Sequence, residues 1–293
     1  LVALLKASDW FVDAAEEIGL SFGISPFIIG VTIVAFGTSL PELASSIAAV
    51  YDGNSEIVIA NVVGSNIANI LLVMGLVAVV SKSVEMEKRI LDLDIPLLLG
   101  SAFFLWFVVR DAHVSMVEAI LFLVALVFFL VNSFSTDDND GDEERPTTSW
   151  KAYAFLLVGG VLVYFGATYT ISALEAISKI AQIPSETISQ SLLALGTSLP
   201  EVVVSLAAAR KGQAAMAVGN VLGSNIFNTY AVMAIPALIA DLTIPAEVLS
   251  FGLPFMVAIT ILFSVMCITR RVSRWEGAML LILYTYFMVD LFA

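Results

Sequence analysis

Two glutamates, Glu42 and Glu201, sit in the interior of long apolar segments, each closing the same hexapeptide: Gly37-Thr38-Ser39-Leu40-Pro41-Glu42 and Gly196-Thr197-Ser198-Leu199-Pro200-Glu201. A carboxylate at such a depth costs roughly 3 kcal/mol or more and usually marks an ion or substrate pathway. No Lys or Arg lies inside the neighbouring segments to neutralise it, which leaves protonation, a water-filled cavity or a bound cation. The residues before each Glu favour the cation. Pro41 has no N–H, and its ring pushes against the carbonyl of Gly37, so the helix is expected to open there and free carbonyl oxygens. Thr38 and Glu42 share one helical face, and the construction repeats at Gly196, Thr197, Pro200 and Glu201.

A second repeated motif adds neutral oxygen. Asn61-Val62-Val63-Gly64-Ser65-Asn66-Ile67-Ala68-Asn69 returns as Asn220-Val221-Leu222-Gly223-Ser224-Asn225-Ile226-Phe227-Asn228. Ser65 and Asn69, like Ser224 and Asn228, are spaced i and i+4 and project from one face after a flexible glycine. An all-oxygen set suits Ca²⁺, which takes about 6–8 oxygen ligands, and Na⁺; zinc or copper would want His or Cys. His113 is the single histidine and Cys267 the single cysteine, the latter inside an apolar run, so a histidine-based metal site and an intrachain disulfide are both excluded. Proline kinks and Ser, Thr or Asn in membrane helices can serve packing alone; their duplication beside two intramembrane carboxylates argues for the ion site. The acidic run at Asp137, Asp138, Asp140, Asp142, Glu143 and Glu144 fails as an EF-hand. With Gly141 as the sixth loop position, the first and twelfth are Thr136 and Thr147, where carboxylates are needed. It is expected to be a solvated linker.

The elements that must position these groups follow from composition and repetition. Of 293 residues, 59% are hydrophobic and 13% charged, with mean hydropathy +0.98: a membrane composition rather than a soluble one. Apolar segments fall at roughly 1–20, 26–50, 57–80, 91–109, 115–134, 151–177, 186–209, 214–240, 246–269 and 275–292, many close to the ~20 residues that cross hydrocarbon as a helix. The expected fold is therefore all-α and polytopic, with ten transmembrane helices as two five-helix repeats, 1–134 and 151–293, joined by an acidic linker, 135–150. Both motifs recur in a single register, and an odd helix number inverts the second repeat. Shifting the segment near 151 back by the repeat offset suggests that about ten residues of the first helix precede Leu1; no signal peptide is visible.

Orientation follows from the cytoplasmic excess of Lys and Arg. One side carries Lys82, Lys88, Arg89, Arg145, Lys151, Arg210, Lys211, Arg270, Arg271 and Arg274, the other Arg110 and Lys179. Both termini are thus expected outside (periplasmic in a bacterium) and the linker in the cytoplasm, in a multi-pass protein of the plasma or inner membrane.

At these two motifs the chain resembles the sodium/calcium exchanger branch of the cation/calcium antiporter superfamily, whose α-repeats carry G-T-S-x-P-E/D and G-S-N-x-x-N/D. The proton/calcium branch typically has G-N-x-x-E instead. The resemblance implies that Glu42, Glu201 and the carbonyls of Thr38 and Thr197 hold Ca²⁺. It further implies that Ser39, Ser65, Asn69, Ser198, Ser224, Asn228 and the carbonyls of Ala35 and Ala194 help hold Na⁺. Some relatives, potassium-dependent exchangers among them, have Asp where this chain has Asn228, which argues mildly against potassium dependence.

The expected activity is antiport of Na⁺ against Ca²⁺ by alternating access at the paired glutamates, with no cofactor. The partners implied are the bilayer and the transported ions; neither nucleic acid nor a protein partner is suggested. A proton-coupled antiporter is the alternative, since two close carboxylates can share a proton, and a cation channel is a weaker one. No H-E-x-x-H or G-x-S-x-G motif supports an enzyme.

Overall fold

A computed structural model describes residues 2–86, 90–135, 147–180 and 198–291, which are almost entirely helical. In chain order the helices are α1 (Val2–Ser21), α2 (Pro26–Tyr51), α3 (Glu56–Ser81), α4 (Ile90–Asp111), α5 (Met116–Ser135), α6 (Trp150–Ile180), α7 (Leu199–Arg210), α8 (214–237), α9 (Val248–Cys267) and α10 (Arg274–Leu291). Six of them, α2, α3, α4, α5, α6 and α9, are long and apolar enough to cross a membrane.

Local chemistry sets where the helices begin. Ser25 caps α2 by accepting from the Ile28 N–H at 3.4 Å, with Pro26 at the first helical position. α5 and α10 start on matching capping boxes. The Ser115 N–H and hydroxyl both donate to Glu118 Oε2, at 2.7 and 2.8 Å, and Ser273 does the same to Glu276, at 2.7 Å each.

The short strands tie the two halves crosswise. β1 (Ser83–Glu85), between α3 and α4, pairs antiparallel with β4 (Arg271–Ser273), between α9 and α10. β2 (His113–Val114), between α4 and α5, pairs with β3 (Leu242–Thr243), between α8 and α9. The helix packing is crosswise too. α1 lies along α6, α4 along α9, α2 against α8, and α5 against the end of α8 as α10 lies against the end of α3.

The centre is unusually tight. α8 is buried along nearly its whole length, and α2 crosses it with backbone against backbone. A Cβ on Gly219 would collide with the Phe27 carbonyl, one on Gly223 with the Val31 carbonyl, and one on Gly30 with the Met216 carbonyl. Glycine is what these positions require, as close helix approach in membranes generally does. Around this centre the outer faces expose large apolar side chains such as Phe128, Leu157 and Ile282, as a surface bathed in hydrocarbon should.

Candidate ion site

α2 is amphipathic the wrong way round for a soluble helix. Thr38, Ser39, Glu42 and Ser46 are buried, while Phe36, Leu40 and Ala44 point outward. This polar stripe is aimed at α7 and α8, and both glutamates end up with 0% of their surface exposed.

The helix does not open where Pro41 was expected to open it. The α-helical stretch runs from Ala35 to Tyr51 straight through Pro41, and the loosened turn lies earlier, as a π-turn at Gly30–Val34. The physical reason is local: proline costs one backbone bond, to Gly37, and packing of the small-residue face on α8 keeps the remainder aligned. The second half differs. Ser198 has φ −83° and ψ 2°, outside the helical well, and α7 begins at Leu199, inside the second hexapeptide, with Pro200 in its first turn. Wide turns also fall on the second motif: π-turns begin at Asn69 in α3 and at Asn228 in α8. Single π-turns often mark functional positions because they release a carbonyl and re-aim side chains.

The two hexapeptides meet. Ser39 Oγ donates to Glu201 Oε1 at 3.3 Å, Thr38 Oγ1 donates to Asn220 Oδ1 at 3.2 Å, and the Thr38 and Ser224 hydroxyls lie 3.5 Å apart. Ser39, three residues before Glu42 on α2, thus joins the Glu42 helix to the Glu201 carboxylate. Asn228 Nδ2 donates to Asn66 Oδ1 at 3.3 Å, and Asn66 Nδ2 donates to Thr229 Oγ1 at 3.1 Å, closing the network between α3 and α8. Thr38, Ser39, Glu42, Ser65, Asn69, Ser198, Glu201, Ser224 and Asn228 are all buried, as is Ala35, whose carbonyl lies 3.4 Å from Thr38 Oγ1. Ala194 and Thr197 lie outside the described residues, as does the acidic run from Asp137 to Glu144.

Several of these atoms have no hydrogen-bond partner among the described residues: both carboxylate oxygens of Glu42, Oε2 of Glu201, Oγ of Ser198, both polar atoms of the Asn69 amide, and Oδ1 of Asn228. Buried polar atoms in native proteins are ordinarily satisfied, and an unpaired buried carboxylate is the costliest exception. Among the described residues neither glutamate has an ion-pair partner; the described ion pairs join Lys211 to Asp9 and Asp13 at the surface. Among the described residues no cluster of three or more Asp, Glu, His or Cys occurs; the acidic groups brought together here are the two glutamates, with hydroxyl, amide and carbonyl oxygens around them.

Sequence reasoning missed residues that hydrogen-bond to the segments carrying the candidate ligands. Asn61 Nδ2 donates to the Glu42 carbonyl at 3.2 Å and to Ser46 Oγ at 3.0 Å, and Asn220 Nδ2 donates to Ser205 Oγ at 2.8 Å. Both asparagines stand at the head of the second motif, and their recurrence in register was the available signal.

Comparison with known proteins shows the family and the fold. The family described as sodium/calcium exchanger protein matches residues 1–135 and 151–292. The sodium/calcium exchanger MaX1 of Methanosarcina acetivorans is 35% identical over 340 aligned positions, covering 100% of this chain and 96% of its own. The inner membrane protein YrbG of Escherichia coli is 32% identical, covering 94% of this chain and 89% of its own. Among solved structures, the sodium-calcium exchanger NCX_Mj superposes with a TM-score of 0.88 at 31% identity, covering 99% of this chain and 95% of that one.

Proposed function

The chain belongs to the sodium/calcium exchanger family, and on that premise we propose that it exchanges Na⁺ for Ca²⁺ at one site shared by Glu42 and Glu201. Its membership makes it a multi-pass membrane antiporter of Ca²⁺ and another cation, not an enzyme. The finer reading rests on one observation: Ser39 of the first hexapeptide donates to Glu201 of the second, at a point where three of the four carboxylate oxygens have no hydrogen-bond partner among the described residues.

Antiport follows from electrostatics. Each uncompensated charge moved out of water costs several kcal/mol, so a site with two formal negative charges resists crossing hydrocarbon alone. Loaded with Ca²⁺, or with more than one Na⁺, it is neutralised and can pass between the two access states. Ions that compete for the same two carboxylates then exchange one for the other. Hydroxyl, amide and carbonyl oxygens from Ala35, Thr38, Ser39, Ser65, Asn69, Ser198, Ser224 and Asn228 complete the ligand shell, with Ala194 and Thr197 as their counterparts in the second half.

The halves 1–134 and 151–293 act as inverted repeats around this site, and the linker 135–150 faces the cytoplasm. The crosswise pairing of β1 with β4 and of β2 with β3 supports inversion. A twofold axis in the membrane plane brings the loop after a third helix beside the loop after a ninth.

The test is ⁴⁵Ca²⁺ flux in proteoliposomes with Na⁺, K⁺ or H⁺ gradients applied singly. Flux driven by Na⁺ alone, lost in Glu42→Gln and in Glu201→Gln, is the expected result. Flux driven by a pH gradient without Na⁺ would replace sodium coupling by proton coupling. Transport retained in both glutamine variants would remove the paired-glutamate site.

A further inference from the structure

Hydroxyl groups bind a cation only through their lone pairs, so each ligating hydroxyl must send its proton elsewhere. Around the site that destination is unusually concentrated. Asn220 Oδ1 accepts from Thr38 Oγ1 at 3.2 Å and from Ser224 Oγ at 3.4 Å, so one carbonyl oxygen takes hydroxyl protons from both halves of the chain. Thr38 Oγ1 is also 3.5 Å from the Ser224 hydroxyl and 3.4 Å from the Ala35 carbonyl, the latter the back-bond that threonine habitually makes inside helices. While Asn220 holds the Thr38 proton, the Ala35 carbonyl is left for an ion.

Which way the Asn220 amide points therefore matters, and its symmetry mate decides it. Asn61 Nδ2 faces the backbone carbonyl of Glu42, which can only accept, so the nitrogen of Asn61 must lie on that side. It also donates to Ser46 Oγ. Asn220 repeats the contact at the equivalent serine, with Nδ2 donating to Ser205 Oγ at 2.8 Å. The nitrogen is pinned to its own repeat and the oxygen is turned toward the other. Asn220 is fully buried, so no solvent competes for either end.

Resting on the paired-glutamate reading above, we propose that Asn220 is a positioning residue that orients the Thr38 and Ser224 hydroxyls and keeps the Ala35 carbonyl free for the transported ion, with Ser205 fixing its amide. It touches no ion itself. Its described side-chain contacts are all with neutral hydroxyls. Two carboxylates can satisfy one Ca²⁺, but two or more Na⁺ must divide them and lean harder on neutral ligands. Loss of Asn220 should thus discriminate between the ions, which a general loosening of the fold would not do.

The experiment measures half-saturation by Na⁺ and by Ca²⁺ in proteoliposomes carrying Asn220→Ala, Asn220→Asp or Ser205→Ala. Asn220→Ala is expected to raise Na⁺ half-saturation about tenfold and that of Ca²⁺ less than about threefold, with the maximal rate retained. Asn220→Asp, which keeps an acceptor oxygen, should not raise Na⁺ half-saturation, and Ser205→Ala should raise it in the same sense as Asn220→Ala. Equal shifts for both ions, a fall in maximal rate alone, or Asp as harmful as Ala would overturn the proposal. Should Asn220→Ala not fold, an unchanged Na⁺ half-saturation in Ser205→Ala overturns it instead. Glu42→Gln runs as a separate arm. Transport surviving that change defeats the site reading, whereas its loss beside a silent Asn220→Ala defeats only this inference.

Discussion

Ser39 Oγ lies 3.3 Å from Glu201 Oε1, a residue 162 positions further along the chain, so the first hexapeptide hydrogen-bonds directly to the carboxylate of the second. A hydrogen bond to a charged group contributes about 1.5–3 kcal/mol. Ser39→Ala should therefore weaken apparent Ca²⁺ affinity about tenfold or more while leaving a folded protein. Concentration-dependent ⁴⁵Ca²⁺ uptake checks this, with Ser250→Ala as the control, since that exposed hydroxyl only caps the Glu247 carbonyl. An affinity equal to that of the control would detach Ser39 from the site.

The crossing of α2 over α8 should be the least tolerant place in the protein. A methyl group at Gly219 or Gly223 meets backbone carbonyls of Phe27 and Val31, which cannot swing aside as a side chain can. Overpacking of this kind costs about 1–3 kcal/mol. Gly219→Ala and Gly223→Ala should lower the melting temperature in detergent, whereas Gly212→Asn, at a φ of +81° in an open turn, should change it little. Equal melting temperatures for all three would contradict the backbone contact.

The repeated motifs and the segment lengths carried most of this architecture, because membrane helices must be long, apolar and internally hydrogen-bonded. What they could not carry is instructive. The loosened turn of α2 lies at Gly30–Val34 rather than at Pro41, since a wide turn depends on which neighbour packs against it and not only on the residue that lacks an N–H. Helix α8 is among the most buried elements, yet it is not one of the six that hydropathy alone marks as crossing a membrane. Its asparagines and hydroxyls face protein rather than lipid. The strands are two or three residues long, too short for alternation to register, and the contacts that tie Asn61 and Asn220 to other helices reach partners fifteen or more positions away.

At the periphery the expectation is the opposite of that at the centre. Lys211 Nζ lies 2.5 Å from Asp13 Oδ1, tying the turn between α7 and α8 to α1, but the Asp13 side chain is 61% exposed. Such pairs contribute about 0.2–1 kcal/mol and are screened by salt. Asp13→Asn should lower the melting temperature slightly at low ionic strength and not at all in concentrated choline chloride, a salt free of transported ions. A large loss that persists in high salt would mean that this contact holds α1 in place.

Inversion of the halves makes the sharpest geometric demand. β1 and β4 are hydrogen-bonded neighbours, so Glu85 and Arg271 must emerge on one side of the membrane, and β2 with β3 places His113 and Thr243 together. The Lys and Arg distribution predicts that the first pair faces the cytoplasm. An odd number of crossings, α4 alone, separates β1 from β2, so the second pair must lie outside. Single cysteines at Glu85, Arg271, His113 and Thr243, all exposed positions, can be introduced in a Cys267→Ala background that removes the one native thiol. A membrane-impermeant maleimide applied to intact cells should label cysteines at 113 and 243 and spare those at 85 and 271, with the pattern reversed in inside-out vesicles. Labelling of 85 together with 113 from one face would mean that α4 does not cross, and the two halves would then not be inverted copies about a shared site.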